Sequence, residues 1–465
     1  MSTFNGRFHE SSLGFISVDN FIEDNLNSKV FFLSHLHTDH MKGLNIHFIC
    51  TLMESKRFLY CSQVTKKFLI KKLRICIGHE NIIGLEDGLP TRIKIPDLPL
   101  FEVNTIPAGH CPGSVMFLFE SPDVTVLYTG DFRLPFCDLP KYKALHTING
   151  KVKKIDAIYL DTTFAFPKYL QFPSREKSKN ELVNIVNQWL NKNPNNQIAI
   201  IPTACYGLEF LLLELAKAIM KKLYIPSSIL FENYSYIPEF SDLITSDSDS
   251  TNVHLCEYTR NKPHYCKLCF DKKHVFKRIR PSAMIFDQEH LNRPQLNEGI
   301  VDYSDPDIIK LAYSTHCSLQ ELKDFLKYIS QDGCKIYPSV LPPQYNEKQI
   351  LDNLETLSLH SETERNKEQE TSDRDCVNYS SELQSSNDFE PTNKQSQSTM
   401  DFDNLIAPPR PRKFSRKKLN FMILEQNLLF KKCKKYLLYR FFIKVKSIFL
   451  YNIFLVLSGT SMTFR

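Results

Sequence analysis

The chain has 465 residues, 42% of them hydrophobic, which is ordinary for a soluble globular protein of two or three domains. The formal net charge of +6 comes mainly from residues 410–446, which carry 13 basic side chains and one acidic one, so charge is no argument that residues 1–345 bind nucleic acid. The 13 cysteines are better interpreted as reduced thiols or zinc ligands than as a disulfide framework.

The first 340 residues alternate strand-like apolar runs with amphipathic helix patterns. Residues 1–15 lack the apolar stretch of a secretion signal, so we expect an intracellular protein. Short β-branched or aromatic runs followed by polar loops predict buried strands at residues 29–34, 124–129, 157–160 and 198–201. Helices are predicted after a cap at Ser174, over residues 209–221 and over 319–329.

The composition changes near residue 358. Residues 358–407 are rich in Ser, Glu, Asn, Gln and Asp and poor in large apolar side chains, which predicts a disordered linker. The stretch 408–465 is a basic tail of unknown role, whose cluster at 410–418 is typical of nuclear-import or nucleic-acid segments. Its apolar run at 448–457 is too short to span a membrane, so we expect no membrane association.

The strongest chemical signal is residues 34–40, SHLHTDH, directly after the predicted strand KVFFL. His35 and His37 can point to one position while Asp39 and His40 turn to a neighbouring one. Four side chains that bind metals, packed into six residues at a strand end, predict that one loop supplies ligands to two metal ions.

Two further candidate ligands follow strand-like runs. His110 lies in PAGHCPGS, where glycines allow tight bends, and Asp131 follows Gly130 in LYTGDFR. A carboxylate at Asp131 could be shared between two cations. Paired cations lower the pKa of bound water and neutralise charge on a phosphoryl group, which suits phosphodiester hydrolysis.

At roughly residues 1–345 the sequence resembles the β-CASP branch of the metallo-β-lactamase nucleases, and within it the Artemis-like enzymes of the DNA cross-link repair group. The resemblance rests on MSTFNGRF, ISVDNF, FFLSHLHTDHMKGL, PAGHCPGSVMFLFE, VLYTGDFRL, YLDTTF and AYSTHCSLQELKDFL. GHCPGSVMFLFE and LYTGDFR are similar to the DNA-acting members, and DTTF and HMKGL to the Artemis-like enzymes. These motifs are long and specific.

The resemblance implies a role for each matching residue. It implies a first metal site at His35, His37 and His110, a second at Asp39 and His40, a shared ligand at Asp131 and a supporting acid at Asp19. It also implies active-site roles for Asp161 in DTTF and His316 in STHCS, which could orient ligands or hold a substrate phosphate.

The resemblance also implies the architecture. We expect an α/β chain with a metallo-β-lactamase αββα sandwich, formed by residues 1–152 and a return segment at 309–357. A β-CASP α/β cap domain would be inserted at residues 153–308. The disordered linker 358–407 and the basic tail 408–465 would follow.

A second zinc site is predicted in this cap. His254, Cys256, Cys266 and Cys269 have the spacing H-x-C-x9-C-x2-C, which can form a closed tetrahedral structural site. Artemis-like enzymes have a zinc site in this region, but one histidine of that pattern is replaced here near Ser227. Unligated thiols are the alternative.

The resemblance implies a nuclear, metal-dependent DNA endonuclease with 5′-to-3′ exonuclease activity. It would open hairpins and trim overhangs and single-strand to double-strand junctions during non-homologous end joining. Zn²⁺ would occupy the active site as one or two ions, with Mg²⁺ or Mn²⁺ as alternatives, and the DNA-dependent protein kinase and an end-joining ligase complex would be partners. A cross-link or telomere-end 5′-exonuclease, an RNA-processing β-CASP enzyme and a small-molecule hydrolase are alternatives; the last lacks a reason for the cap.

Overall fold

The computed structural model describes residues 2–75, 78–257, 275–286, 296–297 and 300–355. These residues belong to one compact unit, Met1–Glu362. The predicted linker 358–407 and basic tail 408–465 lie outside the described residues, as do Cys266 and Cys269. Among the helices of the described part, none has the length and apolar character needed to cross a membrane.

The first sheet of the described part is parallel. Its strands, in spatial and chain order, are β1 (Ile16–Val18), β2 (Val30–Phe32), β3 (Leu59–Ser62) and β4 (Ile82–Leu85). The connections after β2 and β3 contain helices α1 (Ile46–Ser55) and α2 (Gln63–Lys72). Because helices and a second sheet cover its two faces, β2 is buried along its whole length and has the continuous apolar sequence VFF.

The second sheet joins distant parts of the chain. In spatial order its strands are β18 (Lys335–Pro338), β9 (Ala157–Leu160), β8 (Thr125–Tyr128), β7 (Val115–Glu120), β6 (Phe101–Pro107) and β5 (Thr91–Ile93). Strands β5 to β8 are antiparallel neighbours, whereas β9 pairs in parallel with both β8 and β18. The strand that completes this sheet therefore comes from residues far along the chain.

The two sheets pack face to face through alternate side chains. On β7, Val115, Phe117 and Phe119 point into the layer between the sheets, while Met116 and Leu118 belong to the opposite apolar layer. The ring of Phe32 on β2 lies 5.2 Å from Phe117 and 4.9 Å from Phe119. Aromatic pairs at this spacing stabilise the interface beyond simple burial. The arrangement is the predicted αββα sandwich.

A third sheet forms the cap. In spatial order its strands are β12 (Ile244–Thr245), β11 (Leu223–Tyr224), β13 (Val253–Leu255), β10 (Gln197–Ile200), β14 (Phe276–Ser282), β17 (Ile308–Ala312), β16 (Val301–Asp302) and β15 (Leu296–Asn297). The helices along this part of the chain are α3 (Arg175–Leu190), α4 (Glu209–Ile219), α5 (Ser228–Tyr234) and α6 (Pro238–Ser241). Helices α7 (Leu319–Ile329) and α8 (Glu347–Glu355) lie on the return to the sandwich.

The cap that the sequence suggested for α3 is confirmed, and the structure shows a cap for α7 as well. The Ser174 hydroxyl accepts a hydrogen bond from the Lys177 N–H at the start of α3. Ser318 and Glu321 form a reciprocal capping box at the start of α7. The apolar stripe of α7 is buried at Leu319, Leu322, Phe325 and Ile329.

One strand lies in a different sheet from the one expected. The family resemblance implied that the sandwich strands resume near Ile309, but β17 pairs with β14 and β16 of the cap sheet. The chain rejoins the second sheet at β18, which pairs with β9. An apolar strand pattern shows that a strand is buried but not which sheet it joins. The division into domains stays a prediction, with the return placed later than residue 309.

Candidate metal centre

Strand ends bring the predicted ligands together. The 34–40 loop follows β2, His110 lies in the turn between β6 and β7, Asp131 follows β8, and Asp161 follows β9. His316 comes from the segment between β17 and α7. Because the strands are buried and rigid, these loops hold their side chains in defined positions.

Two glycines allow the loops to approach one another. Gly109 has φ +64°, and a Cβ atom there would lie 2.5 Å from the Arg133 carbonyl oxygen. Gly130 has φ +53°, and its Cβ would lie 3.0 Å from the Ser34 side chain. A side chain at either position would therefore strain the backbone and push apart loops that carry His110 and Asp131.

Three groups of ligand atoms result. Within each group the potential ligand atoms lie within 4.8 Å of one another, and the groups are His35, His37, His110 and Asp131; Asp19, His35 and His40; and Asp131, Asp161 and His316. Asp131 belongs to two of these groups. Its carboxylate can therefore supply a ligand atom to more than one group.

Asp131 lies at the centre of the cluster. Its Oδ1 is 3.2 Å from His40 Nε2, and its Oδ2 is 3.6 Å from His35 Nε2 and 3.7 Å from His110 Nε2. His316 Nε2 is 3.9 Å from the same Oδ2. The side chain is almost fully buried, so its charge is poorly screened by water.

Hydrogen bonds determine which ring nitrogen of each histidine carries the proton. His37 Nε2 donates to the Tyr206 carbonyl at 3.2 Å, and His110 Nδ1 donates to the Thr315 carbonyl at 3.0 Å. The other nitrogens of these two rings, His37 Nδ1 and His110 Nε2, face each other at 2.9 Å. A carbonyl can only accept, so these facing nitrogens keep lone pairs that can bind a cation.

Asp19 organises the other two rings. Its carboxylate accepts hydrogen bonds from the Ser34 amide at 2.7 Å, from His40 Nδ1 at 2.8 Å and from the Tyr128 hydroxyl at 2.9 Å. The Ser34 hydroxyl also donates to Asp19 and so can accept from His35 Nδ1 at 2.9 Å. Asp19 therefore orients His40 directly and His35 through Ser34.

The buried nitrogens that remain without hydrogen bonds make the cluster suitable for a metal. His35 Nε2 and His40 Nε2 are buried and have no hydrogen-bond partner among the described residues. Leaving a buried polar nitrogen unpaired costs about 1–3 kcal/mol, so a bound cation is expected at each of the two nitrogens. Imidazole and carboxylate donors suit a divalent transition metal. The residues therefore fit a metal cofactor.

Burial and charge divide the histidines into two classes. Burial lowers the pKa of His37 to about 4 and holds the pKa of His35 and His110 well below the usual value. Burial also acts against a charged His40, but the charges of Asp131 and Asp19 prevail and raise its pKa well above the usual value. Three rings are therefore ready to bind a cation at neutral pH, whereas His40 must first release a proton.

Asp131 stays ionised for a related reason. Burial raises its pKa, but the neighbouring His40 and His316 outweigh this and hold it well below the usual range. A carboxylate that is charged and buried beside unpaired imidazoles is a strong cation ligand.

Asp161 and His316 form a pair beside the cluster. Asp161 Oδ2 accepts a hydrogen bond of 2.8 Å from His316 Nδ1, although the two residues lie 155 positions apart. Burial lowers the pKa of His316, but the charges of Asp161 and Asp131 outweigh it and raise the pKa above the usual value. His316 Nε2 can therefore present a proton toward the centre.

Asp39 lies further from the centre than its neighbours. Its Oδ2 accepts a hydrogen bond of 3.0 Å from the Ser2 amide and lies 3.8 Å from His40 Nε2. It is not a member of the three close groups found among the described residues. Its pKa is lowered because His40 and the Ser2 amide outweigh burial. Among the imidazole nitrogens of the cluster, His40 Nε2 is the one that lies within 4.0 Å of Asp39.

The cluster opens into a cleft of about 390 Å³ between the sandwich and the cap. The cleft is lined by residues 36–39 from the sandwich, by 203–208 and 281–284 from the cap, and by 313–316 from the segment that leads back. Lys72 of α2 lies at the same cleft, where its ammonium group donates to the Leu36 carbonyl at 3.1 Å. A groove of this kind can admit an extended chain.

Sequence patterns missed several groups that hold the ligands. The carbonyls of Tyr206 and Thr315 bind the two facing histidines, and a backbone carbonyl leaves no mark in side-chain chemistry. Tyr128 and Ser34 contribute hydroxyls to Asp19. Ser34 stands inside the histidine motif and could have been found there as a hydroxyl next to His35.

The predicted structural zinc site is described only in part. His254 and Cys256 are buried, and His254 Nε2 lies 3.6 Å from Cys256 Sγ. Cys266 and Cys269 lie outside the described residues, so the site stays a prediction.

Comparison with known proteins agrees with the geometry. Residues 238–344 match the family model described as DNA repair metallo-beta-lactamase. The chain is 34% identical over 377 residues to rat (Rattus norvegicus) protein artemis, covering 78% of this chain and 52% of the relative. It is 32% identical over 379 residues to the human (Homo sapiens) protein, covering 78% and 53%.

A more distant relative belongs to the same group. The chain is 28% identical over 324 residues to the mouse (Mus musculus) DNA cross-link repair 1A protein, covering 67% of this chain and 28% of that protein. The chain spans about half the length of the artemis relatives that it matches. On its fold, its cluster of histidines and aspartates and these similarities, the chain belongs to the Artemis-like branch of the DNA repair metallo-β-lactamase family.

Proposed function

We propose that the chain is a metal-dependent nuclease that hydrolyses phosphodiester bonds of DNA. The main observation behind the proposal is that the candidate metal ligands converge at a cleft between the sandwich and the cap. The similarity to artemis proteins and to the DNA repair metallo-beta-lactamase model supports DNA as the substrate.

The donors favour Zn²⁺ at the first position, held by His35, His37, His110 and Asp131, because three imidazoles and a carboxylate are typical zinc ligands. Asp39, His40 and Asp131 would hold a second ion, for which Mg²⁺ or Mn²⁺ are alternatives to Zn²⁺. Bound ions would lower the pKa of water and neutralise charge on a phosphoryl group.

The chain's own residues would position the substrate and handle protons. His316 is held by Asp161 and presents Nε2 toward Asp131, where it could donate a proton or a hydrogen bond to a phosphate oxygen. Because residues that contact phosphate do not read bases, sequence preference should be weak.

We further propose that the enzyme acts in the nucleus on hairpins, overhangs and single-strand to double-strand junctions in double-strand break repair by end joining. The DNA-dependent protein kinase and an end-joining ligase complex are the partners proposed. These assignments rest on the resemblance to Artemis-like enzymes.

A DNA hairpin blocked at its open end tests the proposal. It has no end at its tip, so nicks near the tip support an endonuclease of the Artemis type. An intact hairpin beside a digested 5′-phosphorylated single strand would indicate a 5′-exonuclease instead. Cleavage of a matched RNA strand and not of DNA would contradict the proposal. The Asp131→Asn protein is the control for contaminating nucleases.

A further inference from the structure

Glu209, the first residue of cap helix α4, has unusual surroundings for an acidic residue. One carboxylate oxygen, Oε2, accepts a hydrogen bond of 2.7 Å from the Gly207 amide, and the other, Oε1, accepts one of 2.7 Å from the Tyr234 hydroxyl. Burial raises the pKa of Glu209 to about 7. Burying an acid costs free energy, and these two hydrogen bonds offset part of that cost.

The hydrogen bond to Gly207 shapes the turn before α4. Leu208 occupies the N-cap position of α4, but its side chain makes no capping hydrogen bond. The Glu209 carboxylate instead accepts a hydrogen bond from the backbone amide of Gly207 in this turn. Gly207 has φ +119°, and a Cβ atom there would lie 3.2 Å from Thr315 Cγ2 and 3.7 Å from the His110 carbonyl oxygen. The turn therefore packs closely against the segments that carry His110 and its acceptor.

The residue before this glycine contacts the metal centre. The Tyr206 carbonyl accepts the hydrogen bond from His37 Nε2, which leaves His37 Nδ1 free to bind a cation. The side chain of Tyr206 is also fixed, because its hydroxyl accepts from the Asn233 amide at 2.8 Å and its ring stacks on Phe68 of α2 at 5.8 Å. Helix α2 belongs to the sandwich, so Tyr206 joins the cap to the sandwich beside the site.

We propose that Glu209 is a positioning residue that holds the Tyr206–Gly207 turn, so that the cap supplies the carbonyl that orients the metal ligand His37. The inference rests on the proposed function only in requiring that His37 binds a metal ion. Partners that orient a metal-binding histidine typically change metal affinity about 10–100-fold when they are removed. Glu209 acts through one further residue, so we expect the lower end of that range.

The test compares Glu209→Ala and Glu209→Gln with the unaltered full-length chain. In Glu209→Gln the amide oxygen can accept from Gly207 and the NH2 group can donate to the Tyr234 hydroxyl, so this variant keeps the size of the side chain but loses its charge and reverses one hydrogen bond. We expect a fall in Zn²⁺ affinity of about 10-fold for Glu209→Ala and a smaller fall for Glu209→Gln. Affinity is measured by competition with a chromophoric chelator. The visible absorption of the Co²⁺-loaded protein should also change, because that signal reports ligand geometry.

Glu214→Gln is the matched control. Glu214 lies on the same helix and its side chain pairs with Lys217 at 2.8 Å, away from the metal centre. This variant should keep the metal affinity and the Co²⁺ spectrum of the unaltered chain. Tyr234→Phe removes only a hydroxyl and provides a second variant if Glu209→Ala does not fold; it should also shift the Co²⁺ spectrum.

Glu209 variants with lower thermal stability but unchanged metal affinity and Co²⁺ spectrum would overturn the inference, since Glu209 would then only cap a helix. None of these measurements depends on DNA cleavage. An unaltered chain that binds metal but leaves DNA intact would contradict the proposed function and not this inference. An unaltered chain that binds no metal at this site would contradict both.

Discussion

His40 Nε2 lies 3.2 Å from Asp131 Oδ1 as an ion-pair contact and makes no hydrogen bond among the described residues, while His40 Nδ1 donates to Asp19 at 2.8 Å. The His40 imidazole thus lies between two carboxylates. Asp19 orients the ring, and Asp131 can bind the same cation as His40. His37 and His40, both from the loop after β2, belong to different groups of close ligand atoms, so this one loop can serve two metal positions.

Changing Asp131 to asparagine should remove activity and spare the fold. The amide keeps the size of the carboxylate but loses the negative charge shared by two groups of ligands. Since Asp131 lies in a loop after β8 and not within the strand, the melting temperature of the metal-free protein should change little. We expect DNA cleavage to fall at least about 100-fold, measured together with metal content.

Asp123→Asn, an exposed carboxylate in the turn before β8, is the matched control and should behave as the unaltered chain. Activity within a few-fold of the unaltered chain for Asp131→Asn at equal metal occupancy would show that the site is assigned wrongly.

Asp19→Asn should weaken the second metal position more than the first. Asparagine has one acceptor oxygen in place of two, so the bonds from Ser34, His40 and Tyr128 cannot all persist. His40 would lose its charged partner, and the affinity for the second ion should fall about 10–100-fold. A stepwise metal titration followed by calorimetry measures both positions. An equal loss at both, or no loss at either, would contradict the role given to Asp19.

The stability of the metal-free protein should depend on pH in two opposite ways. His35, His37 and His110 have lowered pKa values in the folded state, so below about pH 6.5 the unfolded chain binds more protons than the folded chain and stability falls. For His37 this window extends down to about pH 4. His40 has a raised pKa, so its contribution is complete below about pH 6.5 and is lost as the pH rises through its folded value.

Melting temperatures of the chelator-treated protein across this range measure the effect. His37→Gln should reduce the slope between pH 4 and 6.5 by one proton, which corresponds to about 1.4 kcal/mol per pH unit. Added metal should raise stability more at pH 8 than at pH 6, because His40 must release its proton to bind. A slope that is the same in His37→Gln would mean that this ring is not neutral in the folded protein.

The local parts of the fold could be predicted from sequence because their causes are local. Ser174 was recognisable as a helix cap, and the histidines of residues 34–40 directly follow a run of buried residues. Pairing between distant segments could not be predicted in the same way. The strand β17 has the same apolar pattern whether it pairs in the cap or in the sandwich, and its partners β14 and β16 decide between them.

The same distinction between local and long-range features applies to the metal centre. Its ligand types were visible in the sequence motifs, but His37 and His110 lie 73 residues apart and Asp161 and His316 lie 155 apart. The orientation of His37 depends on the carbonyl of Tyr206, which any residue type could provide. Side-chain chemistry is therefore readable from sequence, whereas the backbone groups that orient it require the folded chain.

The last prediction concerns zinc in the cap. Cys256 is buried and its sulfur lies 3.6 Å from His254 Nε2, a pair that can provide two of the four ligands of a closed zinc site, with Cys266 and Cys269 predicted as the others. Because a structural zinc contributes directly to the free energy of folding, Cys256→Ser should lower soluble yield and zinc content together. Cys61→Ser is the matched control: Cys61 is equally buried, in β3 of the first sheet, and its loss should leave the zinc-to-protein ratio unchanged. Atomic absorption measures zinc in both purified variants, and each is combined with Asp131→Asn, which removes the ligand shared by the active-site positions, so that the zinc remaining reports the cap site. A zinc-to-protein ratio in the Cys256→Ser protein equal to that of the control would show that Cys256 is an unligated thiol.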